Sequence, residues 1–77
     1  MNNIKKYEVI YERYANDVYR LSLYLLKDET KATEITQQAF ANVYKKASKI
    51  DEKSIRGQLL IEVKRLAKKQ EPKEERQ

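Results

Sequence analysis

The scarcity of turn-forming residues is the feature that most constrains the fold of this chain. Its 77 residues include one glycine, Gly57, and one proline, Pro72. Because β-hairpins depend on glycine, proline or Asn-Gly pairs at their turns, an antiparallel sheet would lack the turns that connect its strands. Helices joined by short polar breaks do not need these residues. The sequence therefore predicts an all-α fold.

Helical periodicity is clear in the first segment, from about Ile4 to Lys27. Its apolar residues follow one another at alternating spacings of four and three, which places them on one face of a helix. They are Tyr7, Tyr11, Tyr14, Val18, Leu21 and Leu25. The tyrosines of this stripe are interpreted as core or core-edge residues with their hydroxyls in water, and base stacking is the alternative.

A second helix is predicted from about Glu29 to Lys49. It follows a break at "KDETKA", where the side chain of Asp28 or Thr30 can accept the free N–H groups of the first turn. Lysines near its carboxyl end suit the negative end of the helix dipole. Its inward stripe is Ala32, Ile35, Ala39, Val43 and Ala47, widened by Phe40 and Tyr44.

A third helix follows the break "IDEKS", with Asp51 or Ser54 as its cap, and Pro72 ends it. Gly57 weakens its first turns by up to about 1 kcal/mol relative to alanine. Together the three segments predict a three-helix domain over residues 1–71 and a polar tail over 72–77. The inward residues of the third helix are Ile55, Leu59, Val63 and Leu66.

The residue types that are missing exclude most catalytic chemistry. The chain has no cysteine and no histidine, which excludes disulfides, Cys/His zinc sites and imidazole catalysis. It has no glycine-rich phosphate loop and no nucleophile–base pair, so we expect a protein that is not an enzyme and uses no cofactor or metal. The richest apolar run, "LSLYLL", is far shorter than the ~20 residues of a membrane span. We expect a cytoplasmic protein without a membrane partner.

A neutral polar band lies on the second helix, away from its apolar stripe. Glutamine amides can hydrogen-bond to a partner, alanine lets a second helix approach closely, and an acid can pair with a partner's arginine or lysine. The band, here called the glutamine band, consists of Glu34, Gln37, Gln38, Ala41 and Lys45. It is interpreted either as a protein-docking face or as an ordinary solvated helix face.

The third helix and the break before it are rich in cations, within a chain of net charge +5. Such a set is typical of phosphate-binding surfaces, whose affinity for nucleic acid comes mostly from charge. Lysine-rich helix ends are also common without this function. The basic residues are Lys49, Lys53, Arg56, Lys64, Arg65, Lys68 and Lys69, opposed only by Asp51, Glu52 and Glu62.

The order of these pieces resembles region 2 of bacterial sigma factors of the extracytoplasmic-function type. That family has a Val-Tyr-Arg-Leu-Ala block, then Ala-Glu-Asp-Leu-Val-Gln-Glu-Val-Phe, then Phe-Arg-Gly-Trp-Leu. The resemblance covers residues 7–69, nearly the whole chain. The matching residues are Val18, Tyr19, Arg20 and Leu21 in the first block, Asp28 at a Gly-Asp break, Ala32, Ile35, Gln37 and Phe40 in the second block, and Arg56, Gly57 and Leu59 in the third.

The resemblance implies two partners. In that family the second helix docks on the coiled-coil clamp of the RNA polymerase β′ subunit, which by position assigns polymerase contact to the glutamine band. The third helix and the loop before it capture the non-template strand of the promoter −10 element, with phosphates supplying affinity and an unstacked base supplying sequence choice. By position, the implied DNA contacts are Lys49, Lys53, Ser54, Arg56, Gln58, Lys64, Arg65, Lys68 and Lys69.

The chain also departs from the family pattern. Gln38 stands where an acid is usual, Gln58 where tryptophan is usual, and Glu62 where an apolar residue is usual. These changes imply a less acidic clamp contact and put unaided promoter melting in doubt. The sequence stops where a region 4 would begin. We therefore expect a small protein resembling the co-sigma subunit of the split sigma factors of bacilli, which needs a separate region 4 protein; a fragment of a longer sigma factor is the alternative.

Two other functions remain open at this point. One is an adaptor or anti-sigma-like competitor that occupies the polymerase clamp without recognising a promoter. The other is a generic basic helical domain that associates with itself.

Overall fold

The computed structural model describes residues 3–46 and 52–70, with side chains within 6–46 and 54–70. This part forms three helices, α1 (Asn3–Leu26), α2 (Glu29–Lys46) and α3 (Glu52–Gln70), and the described ranges contain no strand. The predicted all-α, three-helix fold is thereby confirmed. The last predicted turn of the second helix and the tail at 72–77 lie outside the described residues, and the domain boundary at residue 71 stays a prediction.

A two-residue break turns the chain between α1 and α2. Lys27 adopts the left-handed conformation, with φ at 56°, and its N–H donates to the carbonyl of Leu23 at 2.7 Å. Asp28 then caps α2, because its Oδ1 accepts the N–H of Lys31 at 2.9 Å. Of the two predicted caps, Asp28 is therefore the cap, and Thr30 lies inside the helix.

The start of α3 excludes one of the two capping residues predicted for this helix. Because α3 begins at Glu52, Ser54 lies inside the first turn and is not the cap. The other candidate, Asp51, lies outside the described residues. Within the first turns, Gln58 Nε2 donates to Ser54 Oγ at 3.1 Å, so these two side chains support each other.

The core lies where the three helices meet. The inward stripes predicted for the second and third helices are confirmed, apart from Ala47, which lies outside the described residues. The stripe of the first helix is partly wrong. Ile10 is fully buried, whereas Tyr11 and Leu25 are 42% and 40% exposed, so the packed face of α1 includes Ile10 beside the predicted stripe and leaves Leu25 outside it. The buried apolar residues are Ile10, Val18, Ala32, Ile35, Ala39, Phe40, Val43, Ile55, Leu59, Val63 and Ala67.

Two buried residues with hydroxyl groups lie in the core although neither belongs to the predicted apolar stripes. Ser22 Oγ donates to the carbonyl of Val18, and Thr36 Oγ1 donates to the carbonyl of Ala32, each at 2.8 Å. A hydroxyl that bonds to the helix one turn back leaves no unsatisfied donor in the core. Both residues therefore pack as small side chains.

An aromatic cluster joins the start of α1 to the end of α2. The rings of Tyr7 and Tyr44 stack with centroids 4.3 Å apart, and the Tyr44 hydroxyl donates to the Tyr7 carbonyl at 2.9 Å. Tyr11 and Phe40 meet at 4.7 Å. Since the position on α1 rises as that on α2 falls, the two helices are antiparallel. Burial raises the pKa of Tyr44 to about 12, and the predicted packing role of Tyr7 is confirmed.

Candidate functional site

The glutamine band faces away from the core. Glu34, Gln37, Gln38 and Ala41 are all exposed, and their spacing of i, i+3, i+4 and i+7 gives a four-cornered patch on one side of α2. A shallow, open concavity of about 410 Å³ lies between them. Ala41 has the shortest side chain of the four residues that line it. The predicted docking residues therefore share one outward surface.

The band continues toward the carboxyl end of α2 and reaches α3 along one edge. Lys45 is exposed one turn beyond Ala41, in the last turn of the helix, where a cation is favourable. At the edge, Gln38 Nε2 donates to Asn42 Oδ1 at 3.4 Å. Asn42 is half-buried and turns toward α3, so Gln38 is the member of the band that connects to the rest of the domain.

The basic residues of α3 do not form a single strip. Each residue turns a helix by about 100°, so Arg56 and Arg65, nine positions apart, point to opposite flanks. Arg56 Nε lies 3.2 Å from Asp17 Oδ2 on α1. Arg65 lies on the flank next to α2, where its Nη2 donates to Glu62. Both predicted arginine contacts are thus already engaged in ion pairs.

The lysines of α3 are placed differently from the arginines. Lys64 and Lys68 lie one turn apart on the outer face, and Lys69 lies beside them toward α2; all three are exposed. The ion pairs within the described ranges involve other cations. The exposed Ser54 and Gln58 stand near the start of the helix. The remaining predicted contacts, Lys49 and the side chain of Lys53, lie outside the described residues.

Two residues on the outer face of α3 are missing from the predicted sites. Ile61 is 66% exposed, three positions before Lys64. Gly57 lies one turn before Ile61, and a Cβ at Gly57 would meet nothing within 4 Å among the described residues. The spacing of Ile61, two positions from both Leu59 and Val63, already places it off the inward stripe. The outer face of α3 therefore combines lysines with an exposed apolar side chain, Ile61, and with backbone at Gly57 that no side chain covers.

Glu62 is buried, which corrects its interpretation as an acid opposing a basic surface. It is 4% exposed and points into the seam between α2 and α3. Asn42 Nδ2 donates to its Oε2 at 2.8 Å, Arg65 Nη2 donates to the same oxygen at 2.5 Å, and Lys46 Nζ lies 3.4 Å from Oε1. The hydrogen bond from Arg65 lowers the pKa of Glu62 to about 2, although burial opposes the shift.

Comparison with known proteins identifies the family of this domain. The sequence pattern of the family described as Sigma-70 region 2 matches residues 10–70. The chain belongs to the sigma-70 region 2 family. The resemblance inferred from the motifs is thus confirmed at the level of sigma region 2. No curated protein and no solved structure gave a significant match. The matched segment includes the glutamine band and the whole of α3.

As a sigma-70 region 2 domain, the chain has a sigma-factor-like role in transcription initiation, which implies interaction with the RNA polymerase core and with promoter DNA. Region 2 is a regulatory domain and not an enzymatic one. In the described ranges, no group of three or more acidic side chains is arranged to hold a metal ion. None of the helices, as far as they are described, is long and apolar enough to cross a membrane.

Proposed function

We propose that this chain is a co-sigma subunit of the extracytoplasmic-function type, which docks on the β′ clamp coiled coil through the glutamine band. The observation that carries the proposal is the outward patch of Glu34, Gln37, Gln38 and Ala41 on α2, opposite the core. The family resemblance assigns clamp contact to this same helix face. A solvated helix face needs no recessed patch that is polar and carries only one charge.

The shape of the patch suits a helical partner. Residues spaced i, i+3, i+4 and i+7 form the hole into which a helix inserts one side chain when two helices pack knobs-into-holes. The small Ala41 side chain gives that knob room. Around it, the amides of Gln37 and Gln38 can donate and accept hydrogen bonds, and Glu34 can pair with an arginine or lysine of the partner. A single acid in the patch predicts a contact that depends only modestly on salt.

The proposal assigns DNA contact to the outer face of α3. Lys64 and Lys68 are exposed and can approach the phosphates of the non-template strand at the −10 element. Ile61 and the bare backbone at Gly57 let a base or sugar approach closely between them. The proposal places region 4 on a separate polypeptide, which would supply the remaining promoter contacts.

Binding to a purified β′ clamp fragment tests the docking face. We expect Glu34→Lys combined with Gln37→Ala to abolish binding, because it reverses the one charge and removes one amide of the patch. The matched control is Glu12→Lys combined with Asn16→Ala, which makes the same changes on the exposed face of α1 and should bind as the wild type does. Equal affinity of the patch variant and the control would refute the docking face.

A second candidate is a clamp-binding regulator without promoter recognition. The ion pairs of Arg56 and Arg65 favour it, since they leave fewer cations for phosphates, and Gln58 offers no large apolar surface to a base. A reconstituted transcription assay separates the two functions. Initiation that requires both this chain and an added region 4 protein supports the co-sigma subunit, whereas inhibition of an intact sigma factor supports the regulator.

A further inference from the structure

Glu62 is the one buried charged residue among the described residues. It is held from two helices at once, by Asn42 and Lys46 of α2 and by Arg65 of its own helix. No buried side-chain nitrogen or oxygen in the described part lacks a hydrogen-bond partner. The seam between α2 and α3 therefore contains a polar network in which every buried polar atom has a partner.

The network includes one residue of the glutamine band and ends on α3 at the residue next to Lys64. On one side, Gln38 of the glutamine band donates to Asn42, and Asn42 donates to Glu62. On the other side, Glu62 accepts from Arg65, whose neighbour in sequence, Lys64, lies on the outer face of α3. A continuous path of hydrogen bonds thus runs from the docking helix to the helix proposed to contact DNA.

The energetics of buried ions suggest what this network is for. Replacing a buried ion pair by packed apolar side chains is often neutral or stabilising, so such a network is weak evidence for stability. Hydrogen bonds to a buried carboxylate are directional, however, and fix one register where apolar packing tolerates several. Since Lys46 and Arg65 both reach solvent, they would not be stranded if the carboxylate were removed.

We infer that Glu62 is a positioning residue, which fixes α3 against α2 and so sets the spacing between the glutamine band and the lysines on the outer face of α3. The purpose of this spacing rests on the proposed function, since the spacing matters when polymerase and DNA are held together. The geometric part can be tested without either partner.

Distance measurement between spin labels tests the geometry. The chain contains no cysteine, so Gln37→Cys and Lys64→Cys place one label on each surface. In this background we expect Glu62→Met to broaden the distance distribution about two-fold, because apolar packing no longer selects one register. Glu62→Gln keeps one acceptor for Asn42 or Arg65 and should restore part of the sharpness. Gln70→Met, at the exposed end of α3, is the matched control and should leave the distribution unchanged.

Unfolding in urea separates positioning from mere support of the fold. We expect Glu62→Met to unfold at an unchanged or higher urea concentration while its distance distribution broadens. A Glu62→Met variant with the wild-type distribution would overturn the inference. The inference would also be overturned if the distance distribution of Glu62→Met broadened together with a matching loss of stability and Glu62→Gln showed the same broadening.

Transcription tests the purpose of the spacing. Without labels, Glu62→Met should bind the β′ clamp fragment within two-fold of the wild type and initiate about five-fold less in the reconstituted assay, a coupling of the usual size between two sites. Full initiation by Glu62→Met would overturn the inference and leave the proposed function standing. A wild-type chain that binds no clamp fragment and initiates nothing would refute the proposed function, whereas the spin-label distances would still decide the geometry.

Discussion

Acid should unfold this domain partly through Glu62. Its pKa falls from 4.5 in the unfolded chain to about 2 in the fold, a difference equivalent to about 3 kcal/mol without screening. Because the side chains of Lys46 and Arg65 are 63% and 49% exposed, solvent weakens the interaction, and we expect a measured contribution of about 1–2 kcal/mol. Since the folded-state pKa is the lower one, this contribution is present above pH 4.5 and is lost as the pH falls toward 2.

Comparison with Glu62→Gln isolates this contribution from that of the other carboxylates. The amide has nearly the shape of the protonated carboxyl, so the two proteins should differ by about 1–2 kcal/mol in unfolding free energy at pH 7 and converge near pH 2. Urea unfolding followed by circular dichroism at several pH values gives both curves. Glu34→Gln, an exposed change on α2, is the control and should differ little from the wild type at any pH. A Glu62→Gln difference that stays constant from pH 7 to pH 2 would show that the buried carboxylate gains nothing from its charge.

Three further predictions concern the break after α1, the aromatic cluster and the cations of α3. Lys27→Gly should stabilise the domain by about 0.5–1 kcal/mol in urea unfolding, because glycine adopts a positive φ without the penalty of a Cβ; a loss of stability would contradict the left-handed conformation of Lys27. Tyr44→Phe should cost about 0.5–1.5 kcal/mol through the lost bond to the Tyr7 carbonyl. Because the pKa of Tyr44 is raised to about 12, the fold favours its neutral form, and urea unfolding should show that this contribution is lost between pH 10 and pH 12 in the wild type and that less is lost in Tyr44→Phe. Lys64→Ala should lower the slope of the logarithm of affinity for a dT20 oligonucleotide against the logarithm of salt concentration by about 0.7. Arg56→Ala should change this slope less, because Arg56 is paired with Asp17 within the domain. Equal changes in slope for the two variants would refute this division of the cations.

Most of the fold follows from short-range rules that the sequence displays directly. Because the 77 residues include one glycine, the sequence favours helices over turn-rich sheets. The break at Lys27 and Asp28 provides both the end of one helix and the cap of the next. The error in α1 has a physical cause. Tyrosine is amphipathic, so an apolar stripe drawn through Tyr11 includes a side chain that packs its ring and leaves the rest in water. Tyr11 therefore keeps the core-edge position predicted for it, whereas Ile10, one position earlier, is fully buried and was missing from the stripe.

The surfaces were predictable to different degrees. The glutamine band could be found because outward positions on a helix follow from its period, and its residues stand together in the structure as that period requires. The basic surface could not be resolved in the same way. Charge counting treats Arg56 and Lys64 alike, although one turns toward Asp17 and the other toward water. Such pairings depend on which helices are neighbours, and local sequence does not contain that information.

The glutamine band and the core share one helix, and this links the proposed docking to folding. Ala39 faces the domain and Ala41 faces outward, so small side chains let helices approach α2 closely from both sides. A domain of this size is stable by about 4–12 kcal/mol. A partner that binds only the folded form adds about 2.7 kcal/mol at a concentration one hundred times its Kd, which is a substantial fraction of the stability of the free domain. The seam proposed here, in which Glu62 favours one register over extra stability, is therefore tolerable in a domain that the proposed function places against a larger partner.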